Sequence, residues 1–321
     1  MSLHRHYKET KVKNKGVSTL EDRLRRAGLS VQRDEPMSAH TTFRIGGPAD
    51  LFVVAENREQ LLIAVQQARE DGVTPFLLGE GANLLASDAG IRGVVIAYRA
   101  AKCAFLEKVG EVLLTAEAGA ALRDLSRESV SRGLQGLEWA VDVPGTVGGA
   151  VIGNAGAFGG YISDCLRTVN VLEPDGTIHE MQKVDIQFGY RNSRFRQQAR
   201  EERTIILDAT MALRPGNASE IATRAAEYTR RRRERQPKDC SCGSVFKRTE
   251  NFPPGFLIEQ CGLKGERRGN AMVSPNHANF IINLGGARAA DVRALIELMR
   301  ECVKAQFGEK LELEVELVGQ W

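Results

Sequence analysis

The sequence is poor in the features that mark several protein classes. Its 321 residues include only 6 Cys and 6% aromatic residues, and 44 basic residues nearly balance 41 acidic ones, for a net charge of +3. So little cysteine excludes a small disulfide framework, and the near balance of charge argues against a protein that mainly neutralises a nucleic-acid backbone. With 42% apolar and 26% charged residues, the chain has the composition of an ordinary globular protein of two or three domains.

Membrane segments and metal sites also lack support in the sequence. Residues 1–16 carry five basic residues with no apolar core behind them, so we expect neither a signal peptide nor an anchor. Residues 143–163 have no charged side chain, but they contain Pro144 and seven Gly, which predicts buried loops and turns rather than a lipid-facing helix. Cys240 and Cys242 form the only close pair, and no second pair or nearby His completes four ligands. We therefore expect a cytoplasmic protein with reduced thiols, no metal and no membrane partner.

Helix signals are clear at three places. Asn57 with Gln60 three residues later is typical of a helix start, and apolar residues then repeat on one face until Gly72. Residues 218–235 form a second helical stretch that ends before Pro237, because the residue before a proline leaves the helical region. An amphipathic helix whose apolar face runs over 292–303 is predicted to end at Gly308.

Strand signals lie between and after these helices. Apolar runs at 75–78 and 93–97, and a hairpin over 169–181 that turns at Pro174-Asp175-Gly176, predict paired strands. Residues 311–317 alternate apolar and acidic side chains, as a strand with one solvated face does. The chain is therefore predicted to be a mixed α+β protein without repeats.

Two glycine-rich segments are the first pointer to function. Residues 77–85 follow a predicted strand and read Leu-Leu-Gly-Glu-Gly-Ala-Asn-Leu-Leu, and nine Gly lie between Gly133 and Gly160. Glycines let successive backbone N–H groups approach an anion without interference from Cβ. Neither the third Gly of the dinucleotide fingerprint nor the Gly-Lys-Ser/Thr of a P-loop follows the first segment. We expect two anion-binding nests for a long phosphate-bearing cofactor; the alternative for the second segment is a set of tight turns packed against each other.

The ordered set of motifs resembles one enzyme family. With residues 42–49 (Thr-Phe-Arg-Ile-Gly-Gly-Pro-Ala), the two glycine segments look like the FAD-binding half of the UDP-N-acetylenolpyruvoylglucosamine reductase (MurB) family. The likeness covers roughly residues 40–319 and continues through residues 190–195, 242–247, 257–259, 262–265 and 274–280, and through Leu311, Glu314, Val315 and Gly319. The short 274–279 stretch, with no tyrosine-bearing insertion, resembles the shorter class of the family.

The resemblance implies a fold and a domain order. The fold is α+β and vanillyl-alcohol-oxidase-like (PCMH-type), with an FAD-binding domain of two α+β subdomains and a C-terminal α+β substrate domain. We accordingly expect a flexible tail over 1–30, the FAD-binding domain over 31–215, and the substrate domain over 216–321, whose last strand returns toward the active site.

The resemblance also implies an activity, that of a UDP-N-acetylmuramate dehydrogenase of peptidoglycan precursor synthesis. Its small-molecule partners are a UDP-sugar and NADPH, its cofactor is non-covalent FAD, and hydride passes from NADPH through the flavin to the vinyl carbon of an enolpyruvyl ether. Negative charge then builds on the neighbouring carbon and carboxylate, which requires a cation at the carboxylate and an acid at the carbon.

Specific residues carry over by motif. Arg191 would bind the carboxylate, Ser244 would donate the proton, and Glu314 would assist, although the alternation places Glu314 among three solvated glutamates unless a closed pocket desolvates it. The residues expected at FAD are Arg44, Gly79, Gly81, Asn83, Leu84, Gly145, Thr146, Gly149 and Asn154. The residues expected at the substrate are Tyr190, Lys264 and His277.

Other possibilities stay open at this level. Arg248-Thr249-Glu250 departs from the family's Asn-Pro or Arg-Pro after Lys247, so contacts beyond Ser244 are unassigned. Another flavin oxidase or dehydrogenase of the same fold, acting on an unrelated alcohol or sugar, is the main alternative. A non-enzymatic scaffold or RNA-binding module would use the five Arg within residues 230–235, although a solvated helix end explains them better and we expect no nucleic-acid partner.

Overall fold

The computed structural model describes residues 14–199 and 202–321, with side chains from residue 19 on. The helices are α1 (Asn14–Arg26), α2 (Arg58–Glu70), α3 (Leu122–Ser131), α4 (Val147–Gly153), α5 (Ile162–Cys165), α6 (Arg194–Gln197), α7 (Ala218–Arg235), α8 (Pro254–Gln260) and α9 (Ala289–Phe307). The strands are β1 (Ser30–Pro36), β2 (Pro48–Ala55), β3 (Phe76–Leu78), β4 (Leu84–Ala86), β5 (Ile91–Tyr98), β6 (Cys103–Lys108), β7 (Glu111–Glu117), β8 (Leu134–Gln135), β9 (Gly156–Ala157), β10 (Gly160–Tyr161), β11 (Leu166–Leu172), β12 (Ile178–Gln182), β13 (Ile205–Pro215), β14 (Arg267–Arg268), β15 (Ala271–Val273), β16 (Ile281–Asn283) and β17 (Glu316–Val318).

The first subdomain is a four-stranded mixed sheet in the order β1-β2-β5-β3. Its β3 and β5 run parallel, so the chain crosses from one to the other through residues 79–90, which include both glycines of the first glycine segment. Helix α2 begins at the predicted cap, where the Asn57 side chain accepts the Gln60 N–H. The buried residues Leu61, Ala64, Val65 and Ala68 then line its inner face.

The second subdomain is an antiparallel sheet in the order β12-β11-β13-β7-β6, with β8 paired to β13. The predicted hairpin at Pro174-Asp175-Gly176 joins β11 and β12. Helix α4 follows β7 and α3 in the chain and is capped by the Thr146 side chain, so residues 143–163 contain a short helix as well as the loops that were predicted. None of the helices in the described part of the chain combines the length and apolar character that a membrane span requires.

In the C-terminal part, α9 packs on the three-stranded sheet β14-β15-β16, and α8 packs against α9. The predicted amphipathic face of α9 is buried, and the helix ends at Gly308, whose φ of +69° is left-handed. Phe43, Ile45 and Leu85 of the first subdomain also belong to this core. The first subdomain and the C-terminal part therefore share one apolar core.

Three observed segments differ from the sequence predictions. Residues 14–26, inside the predicted tail, form α1 because Leu20 and Leu24 lie four apart and are buried, while most of the remaining tail, residues 1–13, lies outside the described residues. Helix α7 packs against α3, so a boundary at 216 separates this helix from the part of the protein it contacts.

The third difference is the final strand, of which only Glu316–Val318 forms a ladder, parallel to β4. Leu313 makes a single bridge to Phe246 instead, because the chain crosses there from the C-terminal part to the first subdomain. The end of the chain thereby returns to the first glycine segment, and residue 314 lies at the crossing.

Candidate active site

One large cleft of about 1190 Å³ adjoins both glycine segments, the 190s loop and the C-terminal part. Typical sites for drug-sized ligands measure about 300–1,000 Å³, so this cleft has room for more than one small molecule. Seven basic and five acidic side chains line it: Arg69, Arg191, Arg196, Arg203, Arg232, Arg233 and Lys238, with Glu80, Asp142, Asp239, Glu314 and Glu316. A surplus of cations in a partly closed cleft favours anionic ligands.

The first glycine segment offers free backbone donors to the cleft. The N–H groups of residues 80–83 donate no hydrogen bond to any group in the described part of the chain. Glycine is required at positions 79 and 81, because a Cβ on Gly79 would lie 2.5 Å from Thr146 Oγ1 and one on Gly81 would lie 2.5 Å from the His40 carbonyl oxygen. The Gly79 carbonyl is held from the other side by Arg99 Nη1 at 2.8 Å. This segment fits an anion nest.

The second glycine segment differs, because most of its N–H groups already have protein partners. Gly145 donates to Glu80 Oε2 at 2.8 Å, Val147 and Gly148 donate to backbone carbonyls at 2.9 Å, and Gly149 donates to Thr146 Oγ1 at 3.4 Å. The structure therefore shows one nest with free donors rather than the two that were predicted. Gly145, Thr146 and Gly149 still line the cleft, where they form its floor without projecting a large side chain.

Arg191 lies on the cleft wall in a strained conformation. Tyr190 and Arg191 are the two central residues of a tight turn between Gly189 and Asn192, and Arg191 has a φ of +52°. Arg191 Nη2 donates to the Gly156 carbonyl at 2.7 Å, and Nε lies 2.9 Å from Glu314 Oε1, an ion pair that is not aligned as a hydrogen bond. Nη1 has no partner among the described residues, so one nitrogen of the guanidinium remains available to a ligand.

Glu314 is set apart from its two neighbours on the alternating segment. Its side chain is 15% exposed, against 73% for Glu312 and 33% for Glu316, so the alternative of three solvated carboxylates does not describe Glu314. Burial raises the pKa of Glu314, and the nearby charges of Arg191, Arg196 and Lys247 only partly oppose this rise. A carboxyl that is buried beside a cleft and has a raised pKa holds its proton at higher pH than an ordinary glutamate.

The third predicted catalytic residue, Ser244, lines the same cleft. It follows Gly243, whose φ of +81° turns the chain there, and its hydroxyl has no partner among the described residues. The carbonyl of the next residue, Val245, accepts the Glu314 N–H at 2.9 Å, so Ser244 is one residue away from a backbone hydrogen bond to Glu314. The structure thus brings Arg191, Ser244 and Glu314 to one wall.

Asn83 and Leu84, which were predicted to contact the cofactor, lie next to Glu314 and Glu316. Asn83 Nδ2 donates to the Glu314 carbonyl at 3.0 Å, and the Asn83 carbonyl accepts the Glu316 N–H, so this residue joins the first glycine segment to the segment that carries Glu314. Leu84 begins β4 beside it and also lines the cleft.

Asn154 and Arg44 lie away from the cleft lining. Asn154 is buried, ends α4 in a left-handed conformation and donates to the Gly189 carbonyl at 2.9 Å. Arg44 is exposed, and its carbonyl accepts from Asn283 Nδ2 at 3.2 Å. Both brace the fold in this arrangement, and their contact with a cofactor stays a prediction.

The predicted substrate residues are divided between locations. Tyr190 lies beside Arg191 and lines a smaller adjoining hollow of about 440 Å³ together with Arg248, Thr249 and Glu250. That hollow therefore contains the three residues at which the motif departs from the family pattern.

Lys264 and His277 line neither hollow. Lys264 pairs with Glu259 at 2.7 Å, and His277 packs edge-on against Phe280, with burial lowering its pKa. Both residues lie away from Arg191, Ser244 and Glu314 in this structure, and their role as substrate contacts stays a prediction.

Sequence reasoning missed several cations of the cleft. Arg196 donates to the carbonyls of both Arg191 and Glu314, and nothing in its local sequence marks it. In the arginine cluster of α7, Arg230 and Arg231 pair with Glu227 on the same helix, whereas Arg232 and Arg233 line the cleft.

Comparisons with known proteins identify the family of this chain. Residues 236–318 match the family model for the C-terminal domain of UDP-N-acetylenolpyruvoylglucosamine reductase, and residues 49–182 match the model for an FAD binding domain. The chain is 40% identical over 290 residues to UDP-N-acetylenolpyruvoylglucosamine reductase of Lachnoclostridium phytofermentans, covering 89% of this chain and 92% of that protein. It is also 40% identical over 301 residues to the enzyme of that name from Caldicellulosiruptor bescii, with coverage of 93% and 94%.

A solved structure extends the likeness to three dimensions. The crystal structure of UDP-N-acetylenolpyruvylglucosamine reductase (MurB) from Thermus caldophilus matches with a TM-score of 0.75 at 35% identity, covering 90% of this chain and 99% of that one. With the FAD-binding match, this confirms the fold class that the sequence predicted.

Proposed function

The chain belongs to the UDP-N-acetylenolpyruvoylglucosamine reductase family, and from this we infer that it is an NADPH-dependent flavoenzyme that reduces the enolpyruvyl ether of a UDP-N-acetylglucosamine. The product is UDP-N-acetylmuramate, a precursor of the cell wall. The relatives described above are named for this reaction, so an oxidase acting on an unrelated alcohol is not favoured. We further propose the bacterial cytoplasm as its location, since the relatives are bacterial and both substrates are nucleotides.

The residues present fit FAD as the cofactor. The free N–H groups of residues 80–83 suit its diphosphate, and the floor formed by Gly145 and Gly149 leaves room for a flat ring system in a cleft of about 1190 Å³. When bound there, FAD supplies hydride transfer between NADPH and the vinyl carbon of the substrate.

The observation that carries the chemical proposal is the pairing of Arg191 with Glu314 beside Ser244. Arg191 holds the substrate carboxylate through its free Nη1, while its other nitrogens fix the guanidinium to Glu314 and to the Gly156 carbonyl. In this position the guanidinium stabilises the negative charge that spreads into the carboxylate as the vinyl group is reduced.

Ser244 and Glu314 then deal with the proton. Ser244 donates its hydroxyl proton to the basic carbon, and Glu314, whose pKa is raised by burial, is the group placed to return a proton to the serine oxygen. A serine alone is a poor acid, so the buried carboxyl beside it makes this step feasible. The proton lost by Glu314 is recovered from water through the open side of the cleft.

Two measurements on the purified protein test the proposal. The protein should show flavin absorbance, or acquire it on reconstitution with FAD, and NADPH consumption should require the enolpyruvyl nucleotide. A protein that neither contains nor takes up FAD is incompatible with both flavoenzyme assignments. A flavin-loaded protein that does not reduce the enolpyruvyl nucleotide but oxidises another alcohol is incompatible with the reductase assignment and supports the oxidase alternative.

Glu314→Gln tests the chemical roles. We expect turnover to fall by about 10²–10⁴-fold, the usual worth of a general acid or base. Glu312→Gln is the matched control, because Glu312 is exposed and lies 3.7 Å from Lys247 in a surface ion pair, so its loss should change turnover by less than about twofold. Equal effects of the two substitutions would remove Glu314 from the mechanism.

The pH profile gives an independent check on Glu314. Because its pKa is raised, the protonated form persists above the ordinary range, and turnover should fall on the alkaline side as the pH passes through that raised value. Glu314→Gln should lose this alkaline limb. A variant that keeps the same limb would show that another group causes it.

A further inference from the structure

Glu80 sits in the first glycine segment with an unusual set of partners. Its Oε1 and Oε2 each accept a hydrogen bond from Arg123 at 2.8 Å, in a two-bond fork, and Oε2 also accepts the Gly145 N–H at 2.8 Å. One carboxylate therefore joins both glycine segments to the start of α3. Such charge-assisted, bidentate pairs are the strongest and most directional of protein hydrogen bonds.

The position of this carboxylate raises an electrostatic problem. Glu80 lines the cleft, and its own N–H is one of the four free donors of residues 80–83. A bare negative charge at this point would repel an anion that these donors bind. Arg123 lies behind Glu80, outside the cleft lining, and its fork cancels that charge without occupying the cleft.

The position of Arg123 in α3 indicates that it serves the pairing with Glu80 and not the stability of its own helix. It is the second residue of α3, whose N-terminus carries the positive end of the helix dipole and disfavours a cation. A basic residue there is explained by the pairing with Glu80 rather than by helix stability. Arg132, at the other end of α3, also pairs with a carboxylate, but Glu128 is exposed and lies on the same helix.

We propose that Glu80 and Arg123 are a charge-neutral positioning pair for the cofactor diphosphate. Glu80 fixes the Gly145 backbone and the turn of residues 79–83, and Arg123 removes the repulsion that Glu80 alone would exert on the phosphates. This inference rests on the proposed function, because it takes FAD as the anion at the turn.

The test is FAD binding to the apoprotein, measured by quenching of flavin fluorescence at low and high salt. Arg123→Met leaves Glu80 charged and unpaired, so we expect Kd for FAD to rise about tenfold at low salt and the deficit to shrink at high salt. The double variant Glu80→Gln/Arg123→Met should recover to within about threefold of the wild type, since the repelling charge is gone. Arg132→Met is the control and should bind FAD as the wild type does.

Each outcome decides between the possibilities. Unchanged affinity in Arg123→Met, or a double variant as weak as the single one, would overturn the charge account in favour of a purely structural pair. If Arg123→Met does not fold, as judged by circular dichroism, Glu80→Gln alone decides: affinity within about threefold of the wild type supports the proposal, and a tenfold loss refutes it. A wild-type protein that binds no FAD is a different result, because it contradicts the proposed function itself.

Discussion

Residues 79–84 of the first glycine segment and residues 143–149 of the second are both rich in glycine, and they differ in their hydrogen bonds. In the first, four successive N–H groups have no partner in the described part of the chain. In the second, Gly145, Val147, Gly148 and Gly149 all donate to protein oxygens. The first segment is therefore built to bind an anion, and the second is built to hold its own shape.

Glycine is present in the two segments for different physical reasons. At Gly79 and Gly81 a Cβ would collide with protein atoms 2.5 Å away. Glycine therefore lets the turn pack closely against Thr146 and His40 while its N–H donors stay free. At Gly149 the nearest atom to a Cβ would be Thr146 Oγ1 at 3.6 Å, so the protein leaves room for one and glycine instead keeps the cleft open. The two segments have similar glycine contents, and the hydrogen-bond partner of each backbone N–H is what distinguishes them.

The largest effect should come from Gly81→Ala. Gly81 has a φ of +63°, and an alanine Cβ would also lie 2.5 Å from the His40 carbonyl oxygen, which is backbone and cannot easily move. We expect the free energy of unfolding of the apoprotein to fall by about 3 kcal/mol or more, measured by urea denaturation.

Gly110→Ala is the matched control for this substitution. Gly110 also has a left-handed φ, of +82°, but nothing lies within 4 Å of its Cβ position, so the conformational cost of about 1–2 kcal/mol should appear alone. Equal losses in the two variants would mean that the close approach at Gly81 contributes nothing, and the first segment would then not be packed as described.

Local signals in the sequence were sufficient for α2, α7 and α9. The cap at Asn57, the break at Gln236-Pro237 and the stop at Gly308 each act within a few residues; α2 begins, and α7 and α9 end, where these signals place them. The last strand was predicted over 311–317 but pairs only over 316–318, because its partner β4 is more than 200 residues away and periodicity does not identify a partner.

In the site, as in the fold, local motifs were predictable and contacts between distant segments were not. Motif resemblance selected Arg191, Ser244 and Glu314, and the structure brings all three to one wall. It did not reveal that Glu80 would use the Gly145 N–H, nor that Arg196 would hold the backbone of residue 314, because both contacts join segments distant in sequence. Hydrogen bonds of this kind depend on the path of the chain, which no short motif encodes.

A smaller effect, on binding rather than stability, is expected for Gly149→Ala. Gly149 is exposed to the cleft in the first turn of α4, so alanine should raise the free energy of unfolding by about 0.5–1 kcal/mol through its better helix propensity. The added methyl group would occupy cleft space, and we expect Kd for FAD to rise about tenfold in a fluorescence titration.

Gly148→Ala, one residue earlier, is the comparison for the stability effect. Its Cβ would lie 3.0 Å from the Ala118 Cβ, closer than ordinary packing allows, so stability should fall where Gly149→Ala raises it. A Gly149→Ala protein that binds FAD normally would show that this part of the floor does not touch the cofactor.

The smallest effect is expected for Thr146→Val, which tests directly whether occupied donors are what distinguish the second segment. Valine keeps the shape of the threonine against Gly79 but removes the oxygen that caps α4, so the Gly149 N–H becomes free and stability should fall by about 1 kcal/mol. One freed donor does not make a nest of successive N–H groups, and Kd for FAD should change by less than about threefold. Thr146→Ser, which keeps the cap, should lie within about 0.5 kcal/mol of the wild type. If Thr146→Val instead bound FAD much more tightly, the second segment would be an anion nest whose donor is blocked by the Thr146 hydroxyl. The two segments would then differ only in whether a protein oxygen occupies their N–H groups.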